Sequence, residues 1–214
     1  MVETGERGRF ITVEGIEGAG KSTQIEAMRY LLAEENGLEV ITTREPGGTE
    51  VGESVRSLLL EGPAMAVDTE LLLLFAARAQ HLDEVIRPAL AAGQWVICDR
   101  FIDATYAYQG GGRGIARSRI AALEGWVLGD LRPDRTFLYD LPAEEGLERA
   151  GRRGFLDRFE REEVDFFERV RATYLDRARA EPYRICRIDA SRPETEVRNA
   201  TAGRLRELLD EGPQ

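Results

Sequence analysis

A chain of 214 residues with 43% hydrophobic and 32% charged side chains can bury a sizeable core and is too evenly mixed to be disordered, collagen-like or coiled coil throughout. Its formal net charge of −10 runs against phosphate-tracking nucleic-acid binding and against anionic membrane surfaces, so neither partner is expected, and an anionic substrate would have to meet locally clustered arginines. The longest apolar run, Leu71 to Ala77, is too short to span a bilayer and the opening MVETGERGRF lacks an apolar signal core, so a cytoplasmic chain is expected, folded as a single domain over 1–214, with Cys98 and Cys186 reduced.

Arg9 to Glu14 is an apolar, β-branched run that predicts a strand ending in a glycine turn, and helical spacing begins at Lys21. Short buried strands are predicted again at Glu39 to Arg44, Gln94 to Cys98, Arg135 to Asp140 and Tyr183 to Asp189. Helices are predicted near Glu50 to Leu60, Thr69 to Ala92, Ser118 to Leu131, Ala143 to Ala150, Asp157 to Ala180 and Glu194 to Leu209. Five strands alternating with helices imply an α/β fold, a five-stranded parallel sheet with helices on both faces.

Gly15 to Ser22 reads GIEGAGKS and fits G-x-x-x-x-G-K-[ST] between a predicted strand and a predicted helix, the context that a phosphate-binding loop requires. Its glycines let successive backbone N–H groups turn inward at a helix N-terminus, where the dipole favours an anion. Gly15, Ile16, Glu17, Gly18, Ala19, Gly20, Lys21, Ser22 and Thr23 are the expected ATP-binding residues, Lys21 reaching the outer phosphates and Ser22 coordinating Mg²⁺. Among 29 basic residues Lys21 is the only lysine, and a compact ammonium fits where a planar guanidinium is too wide.

Asp99 and Arg100 follow the third strand, at the edge where open α/β sheets bind ligands. Asp99 could share the Mg²⁺ or orient an acceptor and Arg100 could neutralise charge on transferring oxygens, although a strand-end salt bridge fits the same spacing. Arg44 holds the equivalent position after the second strand, before a Pro46-Gly47-Gly48 turn. In the long helix Phe75 and Arg78 offer a ring beside a donor fork, as a nucleobase would need, while periodicity alone makes Phe75 a core residue. His81, the only histidine, suits a surface or supporting role better than catalysis. Gly151 and Gly154 bracket Arg152 and Arg153 in a segment, about 149–161, that also carries Arg149, Arg158 and Arg161; it suggests a lid able to bring arginines over phosphates, against a solvated helix face for Arg158 and Arg161.

EGIEGAGKST from Glu14, TREPGGT from Thr43, LLFAARAQH from Leu73, DRFIDATYAYQGGGRG from Asp99 and RRGFLDRFE from Arg152 together resemble the bacterial thymidylate kinase family, over about Arg9 to Leu209. The resemblance implies a P-loop nucleoside monophosphate kinase fold with a short lid. It implies transfer of the γ-phosphoryl group of MgATP to dTMP, giving dTDP for dTTP synthesis, by a homodimer. By matching positions, Arg44 and Arg100 would hold the dTMP phosphate, Phe75 would stack on thymine and Arg78 would bond its carbonyl. Thr105 and Gln109 would address the base edge, Tyr108 would crowd a ribose 2′-hydroxyl, Glu17 would approach the 3′-hydroxyl, and Pro46 would line the base pocket. The family places a catalytic arginine either in the P-loop or on the lid; Glu17, Gly18 and Ala19 include none, so Arg152 or Arg153 is implied, beside Lys21, Arg100 and Asp99.

A GTPase would need an N-K-x-D motif, impossible with Lys21 as the sole lysine, and a partitioning-type ATPase would need a second P-loop lysine. The remaining alternatives are another deoxynucleoside or nucleoside monophosphate kinase and a nucleotide-binding module without turnover. Arg44 and Arg100 favour an acceptor that carries a phosphate.

Overall fold

The computed structural model describes residues 7–151 and 162–211. Five strands, β1 (Phe10–Glu14), β2 (Val40–Arg44), β3 (Trp95–Asp99), β4 (Arg135–Asp140) and β5 (Ile185–Asp189), form one parallel sheet in the order β2-β3-β1-β4-β5. Alternation along the strands feeds two apolar clusters, one on each side. Ile11, Val13 and Ile97 belong to one and Phe10, Val96 and Cys98 to the other, so the sheet is covered on both faces, as the buried β-branched runs predict. The polar Thr12 and Thr136 side chains between β1 and β4 pair with each other at 2.7 Å, which removes the cost of burying two hydroxyls.

The helices are α1 (Lys21–Tyr30), α2 (Glu50–Glu61), α3 (Val67–His81), α4 (Arg87–Ala91), α5 (Ile102–Thr105), α6 (Arg117–Leu128), α7 (Ala143–Gly151), α8 (Val164–Ala180) and α9 (Glu194–Asp210). The predicted helix from Thr69 to Ala92 is two helices, α3 and α4, joined by a wide π turn at Leu82–Ile86 just before Pro88, whose missing N–H loosens the ladder there. The predicted helix from Asp157 begins only at Val164; its first five positions lie outside the described residues and Glu162 and Glu163 are not helical. The last strand starts at Ile185 rather than Tyr183, because Arg184 N–H still bonds the carbonyl of Glu181 in a turn.

One element has no counterpart in the predicted series. α5 runs on through a π turn, Tyr106–Gly112, although Gly110, Gly111 and Gly112 disfavour any helix. Packing on α8 overrides the propensity: a Cβ on Gly111 would lie 2.1 Å from Thr173 Oγ1, and one on Gly112 would lie 2.4 Å from the Phe166 ring. The glycines thus permit a close approach that brings Thr105, Tyr108 and Gln109 to the C-terminal edge of the sheet. The chain order reverses at β1, so the loops after β1 and β3 open a crevice at that edge, where α/β proteins bind ligands.

Candidate active site

The loop after β1 is shaped by glycines in left-handed backbone. Gly18 has φ +75°, and a Cβ there would meet the carbonyl oxygen of Gly146 at 2.2 Å, so the loop is pressed against α7. α1 starts after Gly20 without a side-chain cap, leaving the first-turn N–H groups open toward an anion. Lys21 Nζ lies 3.2 Å from the carbonyl of Gly15 and 3.3 Å from that of Ile16. Burial, and then the Arg100 guanidinium, hold this ammonium below the usual lysine range, against the pull of Asp99, Glu17 and Glu14. Gly18, Ala19, Gly20, Lys21, Ser22 and Thr23 line an open cleft together with Glu17, Asp99, Arg100, Arg56 and Arg149. Asp99 Oδ1 is buried without a hydrogen-bond partner among the described residues. Arg149 bonds the carbonyl of Ala190 at 3.1 Å and also meets Glu145. Arg152, Arg153, Arg158 and Arg161 lie outside the described residues.

A second cavity adjoins the first and shares Glu17, Arg56 and Arg100 with it. Its other walls include Pro46, Leu74, Arg78, Phe101, Thr105, Tyr108 and Gln109. Glu17 is fixed between the two: Arg100 Nη2 reaches its Oε1 at 2.6 Å and the Tyr108 hydroxyl its Oε2 at 2.6 Å. Burial alone would raise this carboxyl, but Arg100 and Lys21 outweigh it and hold it below the usual carboxylate range.

Arg78 is 2% exposed and its guanidinium carbon sits 5.1 Å from both the Phe75 and the Phe101 rings. Nε donates to Glu45 Oε2 at 2.7 Å and Nη2 to Thr105 Oγ1 at 3.0 Å, while Nη1 has no partner among the described residues. Glu45 in turn is braced by His81, whose Nδ1 lies 3.0 Å from Oε1 and whose Nε2 lies 2.7 Å from Thr43 Oγ1. The carboxylate can only accept, so Nδ1 carries the proton. His81 is therefore a fully buried supporting residue and not a surface one.

Two expected positions differ. Phe75 does not line the cavity; it is 3% exposed within the apolar cluster beneath Arg78, and the walls there are Leu74 and Phe101. Phe75 follows the Leu71 and Leu82 stripe into the core, one position round the helix from the face that carries Glu70, Leu74, Arg78 and His81. Arg44 does not line either cleft: it is half exposed and its Nη2 lies 2.9 Å from both oxygens of Glu53. Arg56 on α2, bonded to the carbonyl of Pro46 at 3.1 Å, occupies the boundary instead. Sequence reading missed Arg56, Glu45 and Glu70; the polar residues recurring at helical spacing on α3 were the available signal for Glu70.

A family model described as thymidylate kinase matches residues 13–201. The chain belongs to the thymidylate kinase family. Relatives named thymidylate kinase in Pseudomonas savastanoi pv. phaseolicola and Bordetella pertussis are 58% and 57% identical over 207 residues, covering 95% of this chain and 97% of each relative. The solved thymidylate kinase of Ehrlichia chaffeensis superimposes with a TM-score of 0.76 at 36% identity, covering 95% of this chain and 99% of that one. In this thymidylate kinase family member, a P-loop cleft and a neighbouring cavity thus share Glu17, Arg56 and Arg100 on their walls.

Proposed function

We propose that these two clefts carry out the phosphorylation of dTMP by ATP, the reaction of the thymidylate kinase family to which the chain belongs, with ATP on the P-loop and dTMP in the adjoining cavity. The observation that carries the assignment is that Glu17, Arg56 and Arg100 line both clefts. Two nucleotides bound so would meet phosphate to phosphate at a junction holding two guanidiniums. Phosphoryl transfer asks the protein mainly for such positioning and charge.

The donor phosphates would lie on the open N–H groups of α1, with Lys21 at the outer ones. The acceptor phosphate would meet Arg100 and Arg56. In the cavity, Arg78 Nη1 is a buried donor in search of an acceptor, which the C4 carbonyl of thymine supplies. Gln109 and Thr105 would address the rest of the base edge, Phe101 and Leu74 its faces, and Tyr108 and Glu17 the sugar. Mg²⁺ fits the donor set: Asp99 Oδ1 is a buried oxygen without a partner among the described residues, and Ser22, with its hydroxyl, lines the same P-loop cleft. When bound, the ion would neutralise charge developing on the transferring phosphoryl group. The lid arginines Arg152 and Arg153 remain an expectation from the sequence.

A homodimer accords with the surface. The adjoining helices α2, α3 and α6 expose Leu58, Leu72 and Trp126 at 42%, 56% and 83%. No described helix is long and apolar enough to cross a membrane, and a kinase drawing on ATP and free nucleotides is best placed in the cytoplasm. The test is ADP release from MgATP with dTMP, dUMP, dCMP, AMP, GMP and thymidine as separate acceptors. dTMP should rank first and thymidine, without a phosphate for Arg100 and Arg56, should be a poor acceptor; dCMP or AMP ranked above dTMP would overturn the assignment.

A further inference from the structure

Glu70 is an acidic residue on α3 that is only 2% exposed. Its Oε1 accepts the side-chain amide N–H of Gln109 at 2.9 Å, and Arg113 Nε lies 3.4 Å from the same oxygen. Both contacts use this oxygen as an acceptor. Were the Gln109 amide turned over, its oxygen would face the carboxylate at hydrogen-bond distance inside the protein, two acceptors with nothing between them. Only one orientation is tolerated, and it leaves Oε1 of Gln109 as the atom available to the cavity that Gln109 lines.

We propose that Glu70 is a specificity-determining positioning residue, which locks the Gln109 amide so that its oxygen accepts from the N3–H of thymine. The proposal rests on the cavity being the base pocket. Arg78 then presents a donor and Gln109 an acceptor, the complement of a C4 carbonyl beside an N3–H. Cytosine carries an amino group at C4 and a bare N3, so it meets donor with donor and acceptor with acceptor. A free amide could rotate and serve the cytosine N3 instead; the buried carboxylate removes that option.

The experiment is steady-state kinetics with dTMP and dCMP on the full chain. In Glu70→Gln the amide at 70 can give or take a hydrogen bond, so Gln109 can turn. The ratio of kcat/KM for dTMP over dCMP should fall at least about tenfold, mostly through KM, with KM for ATP unchanged. A merely structural Glu70 would lower stability or both acceptors alike. The double variant Glu70→Gln with Gln109→Glu restores the pair with its roles exchanged and keeps an acceptor toward the base, so it should regain most of the parental ratio. Should the single variant fail to fold, the double variant carries the kinetic test: a near-parental ratio supports the lock and a lost ratio overturns it. Independently, the Gln109 side-chain amide protons of the parent protein should show by NMR proximity to Glu70 with dTMP bound, and protons pointing at the base would sink the proposal. Gln109→Ala separates the two claims. If it leaves KM for dTMP unchanged, the base does not lie in this cavity; if it raises that KM while Glu70→Gln leaves the ratio intact, only the role of Glu70 fails.

Discussion

Arg100 Nη2 lies 2.6 Å from Glu17 Oε1 while Nη1 lies 3.0 Å from the carbonyl of Gly15, so a single guanidinium from the end of β3 ties down both sides of the P-loop entrance. Its backbone is the one positive-φ position among the described non-glycine residues, at +67°, a conformation that costs on the order of 1 kcal/mol or more. The Cys98 thiol, which burial first and the neighbouring carboxylates next keep protonated by raising it well above its usual range, lies 3.0 Å from the Arg100 carbonyl and can donate to it.

Arg100→Lys keeps the charge but cannot span both partners with a fork. It should lower kcat/KM for dTMP by roughly 10²-fold or more, since a bidentate charge-assisted contact is worth about 2–3 kcal/mol. Steady-state kinetics with dTMP varied at saturating ATP measures it. Activity within threefold of the parent would show that Arg100 only braces Glu17.

Lys21 sits where two carbonyls at 3.2 and 3.3 Å leave room for one ammonium. Lys21→Ala is expected to reduce kcat by at least about 10³-fold, and Lys21→Arg to recover little of it, because a planar fork cannot occupy a point-charge site without displacing the loop. ATP binding followed by calorimetry distinguishes lost chemistry from lost affinity. Near-parental turnover in Lys21→Arg would contradict the special place of the sole lysine.

What the sequence discloses depends on how far apart cause and effect lie along the chain. The P-loop and the five strands are local patterns, and β4 in particular, Arg135–Asp140, is read to the residue. Phe75 and Leu74 are adjacent, and periodicity cannot say which of two neighbours faces a cavity when both are apolar. Tyr106–Gly112 is hidden because its helical turn exists only through contact with α8, some 60 residues later. Glu45 and Glu70 look like ordinary acids until Arg78 and Gln109, 33 and 39 positions away, are brought to them. Arg44 and Arg56 are two similar cations, and only the fold shows that Glu53 engages the first.

The exposed apolar groups on α2, α3 and α6 bear on assembly. A homodimer should elute near twice the 23.9 kDa of the chain. Trp126→Asp, placing a charge where an 83% exposed indole stands, should shift the molecule toward monomer without unfolding it, since that side chain supports none of the core. Light scattering after gel filtration decides this. A monomeric parent would mean that these residues are simply solvated.

Glu14, at the end of β1, gives the fold a pH signature. Its Oε1 accepts the N–H groups of Phe101 and Ala104 at 2.8 and 3.2 Å, and its Oε2 the Tyr174 hydroxyl at 2.7 Å. Burial, reinforced by the nearby Asp103 carboxylate, raises its pKa to about 7 from 4.5. A folded acid with a raised pKa holds its proton where the unfolded chain has lost it. Its contribution to stability is therefore fully present below about pH 4.5, declines between there and pH 7, and is gone above. Glu14→Gln can keep a carbonyl oxygen for the two N–H groups and turn its amide toward the tyrosine oxygen, while remaining neutral throughout. The stability of the variant minus that of the parent should accordingly rise from pH 4.5 to pH 7 by roughly 1–3 kcal/mol and then level off. The difference matters because other acids such as Glu17, held low by Arg100 and Lys21, act in the opposite direction in both proteins alike. Urea unfolding at half-unit pH steps reads it directly, and a flat difference curve would show that Glu14 is ionised in the fold and steadied by the three donors around it.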